Sequence, residues 1–321
     1  MRLRLIPETT TIGFLKLGKA AVFASIGAMI ASVILFFALG LNYGIDFRGG
    51  TLVMAEMPEE RPIGEYRDIL NGLDLGQVAV TEVSSGEGGA GQTILMRVGI
   101  TGDDPDAQSA VVTELRTVLD AAFPGISYLQ VDNVGAKVSG ELVQAGVLAV
   151  TLAILAILFY IWIRFEWQFS VAAVASLVHD VILTIGVFSL LQIEFNLSII
   201  AAILTIVGYS LNDTVIVFDR VRENLRKYKS KPLDDLIDLS INETLSRTIM
   251  TSGTTLIALL ALYFFGGSVI KGFTFAMIWG VVVGTYSSIY IASMLLVRLG
   301  LNRDGSKPTG KAGTQFADVE A

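Results

Sequence analysis

The chain has 321 residues, of which 53% are hydrophobic and 17% are charged, and its formal net charge is −7. Soluble domains contain about 25% charged residues, so this composition indicates a membrane protein. Because the chain has no cysteine and one histidine, disulfides, thiolate metal sites and cysteine nucleophiles are excluded, and a histidine metal site is disfavoured.

Charge is distributed unevenly along the chain. Residues 42–137 contain fifteen acidic and six basic residues, whereas residues 220–231 contain six basic residues and one acidic residue, Glu223. Positively charged loops are retained on the cytoplasmic side of a membrane. We therefore expect the two stretches to face different compartments.

The first apolar segment, residues 20–41, predicts a transmembrane helix. About 20 residues suffice to cross the hydrocarbon core, and this run is too long for the apolar part of a cleavable signal peptide. Residues 1–19 precede it and carry four basic side chains, Arg2, Arg4, Lys16 and Lys19. This basic flank predicts a cytoplasmic N-terminus.

Residues 42–137 predict an α/β domain, and their acidic character favours the periplasmic side. The periodicities place its elements in the order β-α-β-β-α-β, which is that of the ferredoxin-like fold. The predicted elements are a strand at 51–57, a helix at 62–73, a strand at 77–84, a glycine-rich hairpin loop at 86–91, a strand at 93–100, a helix at 105–123 and a strand at 126–131.

Residues 138–299 predict a membrane domain of five further helices. The predicted spans are residues 142–163, 169–191, 197–217, 248–265 and 273–296. The long basic connection at 219–247 is predicted to lie inside, with residues 232–244 as an amphipathic helix on the membrane surface. Residues 300–321 predict a disordered cytoplasmic tail. The fold class is a polytopic α-helical membrane protein with six transmembrane helices, with the α/β domain between the first two.

A carboxylate inside the fourth span is the first candidate for chemistry. Asp213 lies about 9 Å from the inner end of that span, at 1.5 Å per residue, and an ionisable group in hydrocarbon is costly enough to suggest a function. Helical spacing places it on one face with further polar residues, Thr205, Tyr209 and Asn212.

The fifth span offers a partner for this carboxylate. Arg247, Thr251 and Thr254 share a face of that span, and Arg247 lies at a depth that Asp213 could share. The pair predicts a site that couples to a moving ion. The structural alternative is a static ion pair, with hydroxyl groups that hold the helices together.

His179 and Asp180 lie near the middle of the third span and leave two interpretations open. They form a proton-relay element, or they are a satisfied polar pair that fixes helix packing. Gly280 and Gly284 are spaced for close helix packing, although this pattern is common. No phosphate loop, nucleophile triad or zinc motif occurs, so an enzyme is disfavoured, and membrane orientation explains the basic loop better than nucleic acid does.

Four motifs resemble the SecF branch of the SecD/SecF family of protein-export membrane proteins. They are the segments Gly44-Ile-Asp-Phe-Arg-Gly-Gly50, Val178-His-Asp180, Gly208-Tyr-Ser-Leu-Asn-Asp-Thr-Val-Ile-Val-Phe-Asp-Arg220 and Asn242-Glu-Thr-Leu-Ser-Arg-Thr-Ile-Met-Thr-Ser252. The resemblance covers residues 13–299, and a more distant similarity is to one half of an RND transporter.

The resemblance implies an accessory subunit of the Sec translocase in the bacterial inner membrane, with both termini cytoplasmic. It implies a complex with SecD beside the SecYEG channel, with YajC and YidC as further candidate partners, and a translocating polypeptide as cargo. It implies that the proton-motive force drives late export on the periplasmic side, with Asp213 and Arg247 conducting H⁺ or, alternatively, Na⁺, and without a cofactor. The first motif then predicts a hinge, formed by Gly44, Asp46, Phe47, Arg48, Gly49 and Gly50.

Two rival functions remain open at this point. A small-molecule efflux subunit of RND type would need a substrate cavity or docking surface in the external domain, for which about 95 residues look few. A scaffold that only stabilises the channel predicts that charge-neutral substitutions at Asp213 and Arg247 are silent.

Overall fold

The computed structural model describes residues 10–73, 78–83, 91–99, 105–267 and 269–301. The first helix, α1, spans Phe14–Leu39 and ends at Gly40, whose φ of 69° breaks the helix. It begins six residues before the predicted span because its first amides have acceptors on a distant helix. Asn242 accepts the amide of Ile12 at 2.9 Å, and Asp238 accepts that of Leu15 at 3.0 Å.

A short connector follows α1. Strand β1 (Asn42–Tyr43) leads into a single helical turn, α2 (Ile45–Arg48), and the chain then enters the α/β domain at Gly50. The domain consists of β2 (Gly50–Met57), α3 (Ile63–Asn71), β3 (Val78–Val83), β4 (Gln92–Val98), α4 (Pro105–Ala122) and β5 (Ser127–Val134).

The α/β domain has the predicted order of elements. Its strands form one antiparallel sheet in the order β3-β4-β2-β5, which is the arrangement of a split β-α-β fold. Alternate residues of β2, Val53, Ala55 and Met57, pack with Tyr66 of α3 and Leu119 of α4 in the core. The predicted hairpin loop at 86–91 lies outside the described residues except for Gly91.

Five more helical segments of membrane-spanning length complete the described chain. They are α5 (Ala136–Arg164), α6 (Trp167–Leu191), α7 (Leu197–Lys227), α8 (Leu233–Phe265) and a last span formed by α9 (Lys271–Ser287), a π-helical turn (Ser288–Ala292) and α10 (Ser293–Leu299). Strand β6 (Glu194–Phe195) lies between α6 and α7 and pairs in parallel with β1. With α1, the described residues contain six helices apolar and long enough to cross a membrane.

The membrane helices form two shells. About half of the most apolar stretch is buried in α6, in α7 and in the last span, whereas only 11% of it is buried in α1, α5 and α8. The first three therefore make the centre of the bundle, and the other three expose leucine, isoleucine and phenylalanine outward, as a lipid-facing surface requires. Residues 302–321, in which the tail was predicted, lie outside the described residues.

The predicted helix at 232–244 forms, but not as a separate surface helix within a long loop at 219–247. Helix α7 runs on to Lys227, and α8 is one continuous helix from Leu233, so only 228–232 connect them. No glycine or proline interrupts residues 233–252, and nothing therefore stops the helix at the membrane surface. Its apolar residues Leu236, Ile237 and Ile241 are buried in the core rather than laid on lipid.

Candidate functional site

Asp213 lies inside the helix bundle, where α7 meets α8 and α9. Its side chain is 1% exposed, and its Oδ2 accepts one hydrogen bond, from Ser252 Oγ of α8 at 3.4 Å. Its Oδ1 is buried and has no hydrogen-bond partner. Ser252 also contacts Thr285 of α9 at 2.7 Å, so three helices meet at this carboxylate. A buried carboxylate with so few donors is costly in its charged form.

The predicted ion pair between Asp213 and Arg247 is absent. The described residues contain no ion pair for Arg247, which is exposed on the outer face of α8. Ser252 lies five residues further along, about 140° around the helix at 3.6 residues per turn, and it is this face that points at Asp213. The guanidinium acts on Asp213 only through longer-range attraction.

The polar face predicted on α7 and α8 lies on the outside of the bundle. Thr205 and Asn212 of α7 and Thr254 of α8 are exposed, and Thr251 is half-buried. Tyr209 is half-buried, and its hydroxyl donates to Thr255 at 3.2 Å. The predicted polar residues do share one face of each helix, as the helical spacing indicated. Asp213 does not share that face, because it lies on the adjacent, buried face of α7.

His179 and Asp180 form a second buried centre, between α6, α7 and α9. Asp180 is fully buried; its Oδ2 accepts from Ser210 Oγ at 2.6 Å and from Ser287 Oγ at 2.9 Å. Its Oδ1 lies 2.9 Å from Nδ1 of His179, while Nε2 of that histidine is buried without a partner. Ser176 extends the cluster through a 2.9 Å contact with Ser287.

The serines of both centres were not predicted from the sequence. Ser210, Ser252 and Ser287 look like ordinary helix residues in isolation, and only the packing of the helices gives them a role. One signal was available in Gly280 and Gly284, whose spacing marks a close approach. A Cβ on Gly284 would lie 2.9 Å from Cβ of Ser210, and one on Gly280 would lie 2.3 Å from Ile206. These glycines bring α9 against α7 and so assemble the hydroxyl cluster.

The predicted hinge segment is attached to the membrane helices at one end. Asp46 Oδ2 accepts the amide of Leu197, in the first turn of α7, at 2.7 Å. Gly44 donates its amide to Phe195 at 2.9 Å, and Phe47 packs against the same phenylalanine ring. Arg48 lies over the ring of Tyr43, 6.0 Å from its centroid.

The two glycines that end the segment have backbone conformations that favour glycine. Gly49 and Gly50 have φ of 72° and 124°, values that glycine adopts without strain. A Cβ on Gly50 would lie 2.6 Å from the carbonyl oxygen of Val98. Because Gly44, Asp46 and Phe47 contact Phe195 and Leu197, the hinge stays a prediction for Gly49 and Gly50 alone.

Comparison with known proteins identifies relatives along the whole chain. Residues 114–302 match the family described as protein export membrane protein SecD/SecF, C-terminal, and residues 34–53 match the SecD/SecF GG motif. Protein translocase subunit SecF of Cereibacter sphaeroides is 49% identical over 321 residues, covering 100% of this chain and 99% of its own. Protein translocase subunit SecDF of Brucella abortus is 44% identical over 301 residues, which cover 94% of this chain and 39% of that protein.

Solved structures give the same relationship. The crystal structure of SecDF from Thermus thermophilus, described as a translocon-associated membrane protein, aligns with a TM-score of 0.81 at 34% identity. A second SecDF structure, in a super-membrane-facing form, aligns with a TM-score of 0.66 at 36% identity. The chain covers 40% and 39% of these two proteins, so it corresponds to less than half of a SecDF polypeptide.

Proposed function

The chain belongs to the SecD/SecF family of protein-export membrane proteins, and from this membership we propose that it couples ion flow to protein export through Asp213. It is a multi-pass membrane subunit of the Sec translocase, and its relatives are named as translocase subunits rather than as enzymes. The observation that carries the proposal is the state of Asp213, a fully buried carboxylate with one long hydrogen bond and one oxygen without a partner.

A carboxylate in this position converts a change of protonation into a change of packing. Charged Asp213 needs several hydrogen-bond donors but has only Ser252 of α8, whereas the neutral acid needs fewer. A proton that reaches it therefore shifts the preferred arrangement of α7, α8 and α9. At about 150 mV, the membrane potential supplies about 3.5 kcal/mol per proton, which biases a two-state element a few hundredfold. We propose H⁺ as the ion, with Na⁺ as the alternative.

SecD is the partner that completes this site. The relatives include single SecDF polypeptides in which a region like this chain is fused to the remainder. Exposed Asn212, Thr254 and Arg247 form a polar membrane face, which lipid would cover at a high cost in free energy. We propose that SecD covers this face, and that the complex works beside SecYEG, with YajC and YidC as further partners.

The membrane orientation follows from the charges. We propose that the acidic α/β domain is periplasmic and that both termini are cytoplasmic in the bacterial inner membrane, because the basic connection after α7 is retained inside. The domain then stands where a translocating polypeptide emerges, and its movement about Gly49 and Gly50 acts late in export.

Export of a secreted reporter into inverted membrane vesicles tests the role of Asp213. Vesicles carry SecD with either the wild-type chain or the Asp213→Asn variant, at saturating ATP, with and without a proton gradient, and with and without sodium. We expect the gradient to accelerate export only with the wild type, and the sodium arms to identify the ion. Asp219→Asn is the matched control, since Asp219 lies on the same helix but is exposed.

Two outcomes would contradict the proposal. If Asp213→Asn responds to the gradient like the wild type, Asp213 is structural and the scaffold function takes precedence. If Asp219→Asn loses the response as well, the effect reflects loss of negative charge on α7 in general rather than the buried carboxylate.

A further inference from the structure

One ion pair joins the α/β domain to the membrane helices. Arg97 of β4 donates through Nη2 to Oε2 of Glu194, in the loop between α6 and α7, and through Nη1 to Oδ1 of Asn42 at 3.2 Å. Both charged side chains are 19% exposed, so they are largely withdrawn from water. Of the ion pairs in which both partners are described, this is the only one between the domain and the membrane helices.

Glu194 lies next to the start of α7, and the surrounding contacts tie it there. Asn42 donates its amide to the carbonyl of Gln192 at 2.9 Å, and β1 pairs with β6. Asp46 accepts the first amide of α7. The loop, the connector and the start of α7 are thus held together as one block, and α7 carries Asp213 near its middle.

Arg97 lies across the glycine hinge from this block. The domain begins at Gly50 after Gly49, two glycines with positive φ, and its last strand continues through Gly135 into α5, so the glycine connection alone does not fix how the domain is seated. A cavity of about 640 Å³ opens between Arg48 and Gly49 on one side and Ala79 and Val98 on the other. Packing in this junction is therefore incomplete, and the charge pair supplies a specific contact.

We propose that Arg97 and Glu194 are positioning residues that lock the α/β domain onto the start of α7. With the lock closed, a shift of α7 reaches the domain as a rotation about Gly49 and Gly50 instead of being absorbed by the hinge. The reason for α7 to shift rests on the proposed function of Asp213, but the lock itself does not. A partly buried charge that loses its partner is destabilised, so each single charge reversal should release the α/β domain from its fixed position against the start of α7.

Distances measured across the junction test the lock directly. The chain has no cysteine, so Thr81→Cys at an exposed position of β3 and Leu191→Cys at the exposed end of α6 place two spin labels without background labelling. The full chain is reconstituted with SecD in proteoliposomes, and pulsed electron paramagnetic resonance gives the distance distribution. We expect one narrow distribution for the parent, broad ones for Arg97→Glu and for Glu194→Arg, and a narrow one again when both reversals are combined.

A matched control and an export assay test whether the contact between Arg97 and Glu194 is needed for function. Arg116→Glu makes the same charge reversal at an exposed position of α4, and we expect the parent distribution. In the vesicle assay, we expect each single reversal to lose the gradient-dependent acceleration of export, and the combined reversal to restore it. Recovery in the double variant shows that the loss in the single variants came from the broken pairing rather than from the substituted side chains themselves.

Three results would overturn the inference. Narrow distributions in both single variants mean that the pair holds nothing. Broad distributions with an intact gradient response mean that the domain position is not used in coupling. A double variant that behaves like the singles means that pairing of charge is not the cause. Failure of the proposed function is detected by a different measurement: the Asp213→Asn variant, with Arg97 and Glu194 unchanged, would still respond to the gradient.

Discussion

The two buried aspartates should respond in opposite directions to the same substitution. Leucine resembles aspartate in branching at Cγ but removes both charge and hydrogen bonding. We predict that Asp213→Leu raises the free energy of unfolding and that Asp180→Leu lowers it. The contrast follows from what each carboxylate leaves behind, because both lie in the same bundle at a similar degree of burial.

The magnitudes come from counting the groups left without partners. Loss of the Asp213 carboxylate orphans nothing, since Ser252 keeps its contact with Thr285. It also removes a buried acceptor without a donor, which is worth about 1–3 kcal/mol. Loss of the Asp180 carboxylate leaves Ser210 Oγ without its acceptor and His179 without its partner on Nδ1. At about 1–3 kcal/mol for each orphaned group, Asp180→Leu should cost about 2–6 kcal/mol.

Reversible unfolding of the purified chain in mixed micelles measures the change in the free energy of unfolding for both variants. Denaturing detergent is added stepwise, and tryptophan fluorescence reports the unfolded fraction. The exposed control Asp219→Leu should stay within about 0.5 kcal/mol of the wild type. A loss of stability in Asp213→Leu as large as that in Asp180→Leu would refute the reasoning, since it would mean that Asp213 is a satisfied structural group. The export assay then separates stability from function, because the stabilised Asp213→Leu variant should have no gradient response.

Further predictions concern single contacts, each checked by the same unfolding assay. Asp46→Ala removes the acceptor for the first amide of α7 and should cost about 0.5–2 kcal/mol, whereas Asp46→Asn should cost less. Gly280→Ala forces a Cβ to within 2.3 Å of Ile206 and should cost about 1–3 kcal/mol, most of which Ile206→Ala in the same chain should recover. Burial and the hydrogen bond to Asp120 raise the pKa of Tyr128, so its contribution to stability should fade as the pH rises above about 10 and be absent in Tyr128→Phe.

The helices and strands followed from the sequence because their signals are local. Long apolar runs located all six spans, and periodicity with glycine and proline boundaries gave the order of elements in the α/β domain. The ends were less certain where a helix leaves the membrane. The apolar spacing at 233, 236, 237 and 241 predicted a separate surface helix over 232–244, but α8 continues from Leu233 through to Phe265 as one helix.

The arrangement of the candidate site did not follow from the sequence, because it depends on how each helix is rotated. From the sequence alone, either Arg247 or Ser252 could face Asp213, because the rotation of α8 relative to α7 is not known. In a soluble helix the polar face marks the outside. In a membrane helix, polar residues mark contacts with protein, and α8 has two such faces, one inside its own bundle and one outside. Periodicity cannot tell which face meets which neighbour.

The exposed position of Arg247 changes how the coupling site is understood. A guanidinium on a lipid-facing surface turns toward the polar headgroups and water, which weaken its attraction to a buried carboxylate. Another membrane subunit that covers the same face excludes those groups, so the attraction between Arg247 and Asp213 grows without the helices moving. The ion pair that the sequence predicted does not form within this chain, and on the proposed function ion coupling would require the complex with SecD. An isolated chain should show the stability difference between the two aspartates, but no dependence of that difference on Arg247, whereas the complex should show both.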